Sequence, residues 1–403
     1  MDSFDVAVVG GGMVGASFAL ALSRTRLTVV LVEGVAQGSL AQPSFDERTT
    51  ALGNASRRIF QSLGAWQRIA PEAAAIRAIH VSEAGRFGFA RLDAREQGVE
   101  AFGYVAANRV IGTALYDRLR ADARVAMRVP ARVAGLDIGA ERAELALEGE
   151  RGAERIAARL VVAADGAESR VRLAAGIDAR VKEYEQVALV ANVRADRPHD
   201  GTAYERFTSS GPLAVLPLHD GSYTVVWARA PAQAAETLRL EDDAFLAELQ
   251  RHFGWRAGRW VRAGRRAAYP LKLTRATAAA GTRAVLIGNA AQALHPVAGQ
   301  GFNLGLRDAA ALAETLAGAE GDPGAAQLLA RFAAQREADR RGVVGFTDGL
   351  VSLFGDARGP IGLARLLALL LFDLTPPAKS ALARVSTGFG GRTPRLARGL
   401  PLT

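Results

Sequence analysis

The chain has 403 residues, of which 49% are hydrophobic and 23% charged, and it contains no cysteine. That is a globular-enzyme composition rather than a disordered one, and it excludes disulfides, thiolate metal sites, a cysteine nucleophile and a cysteinyl flavin link. The formal charge of +9 rests almost wholly on arginine, since Lys182, Lys272 and Lys379 are the only lysines. The arginines lie scattered through apolar segments without a basic stripe. This argues against nucleic acid and leaves an anionic cofactor, an anionic membrane surface or plain arginine-rich codon use as readings.

The N-terminal "MDSFD" carries Asp2 and Asp5 where a secretory signal needs positive charge, so a soluble protein is expected. Residues Phe4 to Val9 read as a short buried strand. "MVGASFALALS" has helical periodicity, and "LTVVLVE" is a second buried strand ending at Glu33. Gly10, Gly12 and Gly15 therefore stand as G-x-G-x-x-G between strand and helix. The first glycine permits the turn, the second lets backbone approach a pyrophosphate, and the third lets helix and strand pack closely. Glu33 lies at the distance where a carboxylate accepts from a ribose. An ADP-bearing cofactor follows, with FAD and NAD both open at this point.

"NRVIGTALYDRL" reads as a helix beginning at Asn108. Leu160 to Ala164 is another buried strand, closed by a turn at Asp165-Gly166 and followed by Ser169, Arg170 and Arg172. Taken alone, this is equally an ordinary turn with a capping aspartate. "GPLAVLPL", "SYTVVWAR" and "AAYPLKL" are rich in β-formers and predict a sheet in the middle of the chain. A fourth buried strand, Ala284 to Ile287, turns at Gly288-Asn289, passes His295-Pro296 and enters "AGQGFNLGLRDAAALAETLAG", predicted as a helix from about Asn303. Gly299, Gly301 and Gly305 let backbone lie against a planar ligand. The helix N-terminus would favour the electron-rich edge of a reduced flavin ring. "IGLARLLALLLFDL", from Ile361, is broken by Arg365, is too short to span a bilayer and ends at Pro376-Pro377. Lys379, Arg384, Arg392, Arg395 and Arg398 follow as a solvated basic tail or as a surface that meets lipid or partner enzymes.

The three glycine motifs, in this order, resemble the single-component flavoprotein aromatic hydroxylases of the para-hydroxybenzoate hydroxylase type. "GNAAQALHPVAGQGFNLGLRDA", "DERTTALGNASRRIFQSLGAW" and "ERFTSSGPLAVLPLHDGSYTVVWAR" resemble the ubiquinone-biosynthesis branch. Within that branch, Gly288-Asn289 is similar to the hydroxylases of 2-polyprenyl-6-methoxyphenol. The resemblance implies an α/β fold with a discontinuous Rossmann-like FAD-binding domain, a β-sheet substrate domain and a C-terminal helical segment. The corresponding ranges are 1–75, 101–180 and 270–345 for the first, 76–100 and 181–269 for the second, and 346–403 for the third.

It further implies FAD as cofactor, with Gly10, Gly12, Gly15 and Glu33 on its ADP part and Arg48 near the pyrophosphate. Asn108 stands where relatives carry Gln or Arg near the cofactor. Asp165 belongs to the motif linked to FAD and NAD(P)H. Asn289 takes the place of a ribityl-contacting aspartate, and Gly301, Phe302 and Asn303 meet the ring through backbone. Pro296 would border the flavin face used by substrate. His295 is the leading candidate for the phenolic proton, with a hydrogen bond that shapes the loop as its alternative; His80, His199, His219 and His252 read as structural.

The implied reaction uses NAD(P)H as a transient reductant and O2, through a flavin C4a-hydroperoxide, to hydroxylate a prenylated phenol. No metal is expected, because no histidine–carboxylate cluster has ligand spacing. Cytoplasmic placement with peripheral membrane association, and contacts with other enzymes of the pathway, follow from the same resemblance. Hydroxylation at another ring position, or of another phenol, stays open. A flavin-binding assembly protein without turnover is the alternative from another class.

Overall fold

The computed structural model describes residues 1–36, 38–39, 48–86, 88–150, 152–294, 299–355, 387–389 and 391–402. The chain opens with β1 (Asp2–Val9), α1 (Met13–Leu22) and β2 (Val29–Val32), then β3 (Thr49–Gly53), α2 (Asn54–Ser62) and α3 (Trp66–Ile69). Next come β4 (Ala74–Ile76), β5 (Ala78–Glu83), β6 (Phe89–Asp93), β7 (Gly103–Ala107), α4 (Asn108–Arg120) and β8 (Val125–Arg128). A meander of β9 (Ala131–Ile138), β10 (Ala143–Gly149) and β11 (Gly152–Ala163) leads to α5 (Arg170–Ala174). The middle of the chain holds β12 (Ala179–Ala195), β13 (Thr202–Thr208), β14 (Gly211–Pro217), β15 (Tyr223–Arg229), α6 (Pro231–Arg239), α7 (Asp242–Phe253) and β16 (Trp260–Ala276). β17 (Ala280–Gly281), β18 (Ala284–Leu286), β19 (Gln292–Ala293), α8 (Gln300–Ala317) and α9 (Ala326–Gly355) complete it.

One sheet runs β17-β18-β11-β1-β2-β8, with β18, β11, β1, β2 and β8 parallel to one another. Its central strands are apolar on both faces, as a sheet covered on both sides requires. Val6, Val8, Val29, Leu31, Leu160 and Val162 pack beneath α1, α2, α4 and α8. The alternate residues Ala7, Val9, Val30, Val32, Val161 and Ala163 pack against β10 and its neighbours. The second sheet runs β19-β16-β12-β15-β14-β13-β5-β6, and a small third sheet, β3-β7-β4, lies between the two in sequence. Strands β12 to β16 confirm the sheet predicted for the middle of the chain.

On one face of the second sheet, Tyr223, Val225 and Trp227 of β15 are buried with Phe245, Leu249 and Phe253 of α7. The opposite face carries Ala188, Val226, Ala228 and Leu271 in a separate small cluster. Helix α9 packs on β14, and its Asp348 accepts hydrogen bonds from Lys182 (2.7 Å) and the Tyr184 hydroxyl (3.0 Å) of β12.

Two sequence expectations change. The helix of the late loop starts at Gln300, three residues before Asn303, because Gly299 takes the left-handed conformation (φ +59°) as its cap and turns the chain there. The end of the basic tail is not simply solvated. Leu396 and Ala397 are buried in the core under α2, Ser62 Oγ donates to the Leu396 carbonyl (3.1 Å), and the Arg395 N–H donates to Glu314 (2.7 Å). Two apolar residues with saturated backbone outweigh the solvation of the arginines beside them. The apolar segment from Ile361 and its two prolines lies outside the described residues.

Candidate active site

Strands β1, β2, β11 and β18 end in register, with Val9 opposite Val32 and Ala163, and Ala163 opposite Leu286. Their carboxyl ends therefore form one edge, and the loops that follow meet there, at the position where open α/β sheets bind ligands. The contacts between these loops are close. A Cβ on Gly10 would lie 2.4 Å from the Ala164 carbonyl oxygen and 2.8 Å from the Asp165 nitrogen, and Gly10 has φ +103°. A Cβ on Gly15 would lie 1.9 Å from the Gly10 oxygen. One on Gly305 of α8 would meet the Gly288 Cα at 2.9 Å. Arg172 ties the second and third loops together by donating to the Ala167 carbonyl (2.8 Å) and the Ala290 carbonyl (3.3 Å).

Gly12 caps α1, whose free N-terminal amides face this edge. Glu33, just past β2, accepts from the Gly11 N–H (2.6 Å) through one carboxylate oxygen and from the Val35 N–H (2.8 Å) through the other. Each oxygen keeps a further lone pair for a ribose hydroxyl. The buried Tyr116 of α4 donates to the Gly11 carbonyl (3.0 Å) and so pins the first loop from below. Periodicity marks Tyr116 only as a core residue, and its hydroxyl partner lies 105 residues away. Asp165 receives the Ser169 hydroxyl (2.5 Å) and the Arg170 N–H (2.9 Å). Its carboxylate accepts from the first amides of α5, which is the capping role the turn reading offers, and its backbone nitrogen lies close to Gly10.

Asn108 begins α4 as expected. Its N–H donates to the Arg48 carbonyl (2.8 Å), and its side-chain oxygen accepts from Thr50 Oγ1 (2.7 Å). The Arg48 guanidinium lies 4.9 Å over the Tyr269 ring, which brings the first part of the chain onto the second sheet. Asn289 is exposed on the late loop and makes no hydrogen bond among the described residues. Phe302 stacks on Phe60 (6.2 Å between centroids), directing its ring into the core and leaving backbone at the helix end. An added Cβ on Gly301 would make an ordinary contact with Leu294 Cβ at 3.7 Å, the nearest atom among the described residues.

Asn303 is buried and fully used. It donates to the Ala51 (2.8 Å) and Gly299 (2.7 Å) carbonyls and accepts from the Gly53 N–H (2.8 Å) and Ser56 Oγ (2.7 Å). The side chain therefore clips the start of α8 to β3 and α2. Asn303→Ala should destabilise the protein by about 1–3 kcal/mol for each buried partner left unpaired. Chemical denaturation of the flavin-free protein measures this, and an unchanged midpoint would remove the clip from the account.

His295 and Pro296 lie outside the described residues. The face of the second sheet turned away from α7 carries small apolar rows. Ala214, Val226, Val190 and Ala267 stand side by side across β14, β15, β12 and β16, and Ala228, Ala188 and Tyr269 form the next row.

Beneath the late loop lies a buried ionic cluster that sequence reading missed. The fully buried Asp308 of α8 accepts from Arg336 (2.7 Å), Arg340 (3.2 Å) and Gln292 (2.8 Å), while Asp339 accepts from Arg307 (3.0 Å) and Arg336 (2.5 Å). Burial by itself would push both carboxyls up. The guanidiniums of Arg340 and Arg336 overcome this at Asp308, and those of Arg307 and Arg336 at Asp339, holding both below the ordinary carboxylate range. The available signal is the spacing of Arg336, Asp339 and Arg340, which puts all three on one face of α9, but such a stripe ordinarily reads as solvated.

The residues present fit an FAD. Close backbone contacts at Gly10 and Gly15 shape a tight first loop that would suit a pyrophosphate, Glu33 keeps lone pairs that would accept from a ribose, and Asn289 with the N-terminus of α8 would face the ring. An α/β edge of this kind defines the class, a single-component FAD-dependent hydroxylase. The sequence profile of the FAD binding domain family matches residues 3–347. Ubiquinone hydroxylase UbiL of Rhodospirillum rubrum is 37% identical over 407 aligned positions, covering 99% of this chain and 93% of that relative. The 3-demethoxyubiquinol 3-hydroxylase of Escherichia coli is 32% identical, covering 95% of this chain and 98% of that relative. Among solved structures, p-nitrophenol 4-monooxygenase PnpA from Pseudomonas putida DLL-E4 shares the fold, with a TM-score of 0.81 at 19% identity over 97% of this chain and 100% of that one. The chain belongs to the ubiquinone-biosynthesis hydroxylase family of FAD-dependent monooxygenases.

Proposed function

We propose that the protein hydroxylates 2-polyprenyl-6-methoxyphenol in ubiquinone biosynthesis, with NAD(P)H as reductant and O2 as the oxygen source. The reaction balances as phenol, O2, NAD(P)H and a proton giving hydroquinone, water and NAD(P)+. Bound FAD supplies the electron and oxygen chemistry. What supports the reading is the row of small apolar residues, Ala188, Val190, Ala214 and Val226, on the face of the second sheet turned away from α7, which the Arg48 guanidinium over Tyr269 joins to the first part of the chain. Such a face accepts a prenylated ring and keeps water from it.

In this reading Gly10, Gly12, Gly15 and Glu33 hold the ADP part, and Arg48 and Asn108 stand beside the cofactor. Asp165 shapes its loop, while Asn289, Gly301, Phe302 and Asn303 frame the ring end. Pro296 borders the substrate side and His295 handles the phenolic proton. The division into FAD-binding and substrate ranges stated above belongs to the same proposal.

A second reading is hydroxylation at another ring position, favoured by the Escherichia coli relative, whose name places its chemistry at carbon 3 of demethoxyubiquinol. The test is anaerobic reduction by NADPH with a short-chain 2-prenyl-6-methoxyphenol, then an oxygen pulse and identification of the product. One hydroquinone per NADPH is the expected result. Hydrogen peroxide alone with this phenol, together with product from the demethoxyquinol analogue, would replace the first reading by the second. Protein that binds no flavin on preparation or reconstitution would overturn both.

A further inference from the structure

The end of the second sheet remote from the cofactor loops carries an exposed aromatic residue that no catalytic argument uses. Strand β16 reaches the late loop at Thr274 and Arg275, which pair with β19. Its other end, Trp260, pairs with Ala195, about 50 Å away along an extended strand. Just before Trp260 the chain makes a five-residue knuckle, Gly254 to Gly258, with φ +86° and +98° at the two glycines. Trp255 within it is 68% exposed, and Val261 nearby is 45% exposed.

This knuckle is held firmly. Gln250 Nε2 donates to the Gly254 (2.6 Å) and Gly258 (3.1 Å) carbonyls, and Gln250 Oε1 accepts from the Trp260 N–H (2.9 Å). Arg197 donates to the Arg256 (2.6 Å) and Trp255 (3.4 Å) carbonyls. The fold therefore presents a large apolar ring to the outside from a fixed backbone, so docking would cost little ordering.

The charge around it is unbalanced. Arg194, Arg197, Arg256, Arg259 and Arg262 lie at this end, against Asp196, Asp200 and Asp220. Asp196 pairs with Arg259 (3.8 Å) and Asp220 with Arg194 (3.5 Å), which leaves Arg197, Arg256 and Arg262 against Asp200, itself accepting from the Thr202 N–H (3.0 Å). Arg256 and Arg262 are exposed and have no carboxylate partner among the described residues. A tryptophan beside unneutralised arginines suits the interface of an anionic bilayer, where the ring sits among headgroups and the guanidiniums meet phosphates.

We propose that the Gly254–Gly258 knuckle, with Trp255, Val261 and the arginines around them, docks the second sheet on an anionic phospholipid surface. The assignment goes beyond the reaction proposed above and holds whichever ring carbon is hydroxylated.

The test is flotation of the flavin-loaded, full-length protein with phosphatidylcholine vesicles, with and without phosphatidylglycerol. Wild type should float only with the anionic vesicles, and brominated lipid should quench its tryptophan emission. Arg256→Gln with Arg262→Gln should weaken binding by about fivefold per arginine, and Trp255→Ser should weaken it and abolish the quenching. A matched pair of exposed arginines beside the first sheet, Arg24→Gln with Arg26→Gln, should change little. All variants should keep their flavin and their turnover of a soluble short-chain phenol, which separates this assignment from the proposed reaction. Absence of flotation, unchanged binding of both knuckle variants, or equal loss in the control pair would each overturn the assignment. So would capture of a protein partner through Trp255 without vesicle binding.

Discussion

Gly15→Ala is expected to yield protein with no stoichiometric FAD and a clearly lowered stability. The added Cβ would lie 1.9 Å from the Gly10 carbonyl oxygen and 3.0 Å from Ala164 Cβ, so α1 must move away from β1 and β11. The obstacle is backbone of a buried strand end, which no side-chain rotation relieves, and the cost should reach the upper end of the about 1–3 kcal/mol that overpacking takes. Gly10→Ala should do the same for two reasons, the 2.4 Å approach to the Ala164 oxygen and a φ of +103°. Gly301→Ala is the contrast. Its Cβ meets nothing nearer than 3.7 Å among the described residues, so the flavin-free fold should be unaffected. The ratio of flavin to protein absorbance, with denaturation of the flavin-free chains, reads these results. A Gly15→Ala protein with full flavin and a wild-type midpoint would contradict the close packing of the three loops.

Asp308→Asn should cost about 3–5 kcal/mol, because it leaves Arg336 and Arg340 buried around a neutral amide. The same cluster sets an acid limit. The carboxyls of Asp308 and Asp339 titrate lower in the folded protein than in the unfolded chain. Their contribution is therefore fully present above the ordinary carboxylate pKa of about 4 and is lost as pH falls through the depressed folded values. Asp308→Asn should accordingly show both a lower plateau at neutral pH and a shallower decline on the acid side. Denaturation midpoints measured from neutral pH downward test this. A loss under about 1 kcal/mol would mean that the cluster is worth no more than an exposed pair.

Much of the cofactor module was legible because its signals are local. Phe4 to Val9, the glycines after it and Glu33 lie within one strand–helix–strand unit, and each residue type is demanded by a backbone event a few positions away. The start of α4 at Asn108 and the strand before Gly288 were legible for the same reason. Less was visible where partners are remote. The resemblance gives Asn303 a backbone role at the ring, and nothing in the sequence shows that its side chain joins α8 to β3 and α2, some 250 residues away. Asp308 and Arg336 read separately as ordinary helix charges, because ion pairing across α8 and α9 depends on how two helices are laid together. The buried end of the tail, Leu396 and Ala397, was hidden by the arginines on either side.

The sequence by itself therefore determined the α/β class, the order of the glycine loops and the family, since short-range periodicity and turn chemistry encode these directly. Only the tertiary structure decided which side chains hold the loops together, namely Tyr116, Arg172 and Asn303. It also decided which charges are buried and which aromatic stands in the open. Trp255 and Trp260 lie five residues apart in one arginine-rich stretch, yet one is exposed and the other is packed between Tyr223 and Phe253. Burial is a property of the assembled surfaces, and no pattern of neighbours along the chain contains it.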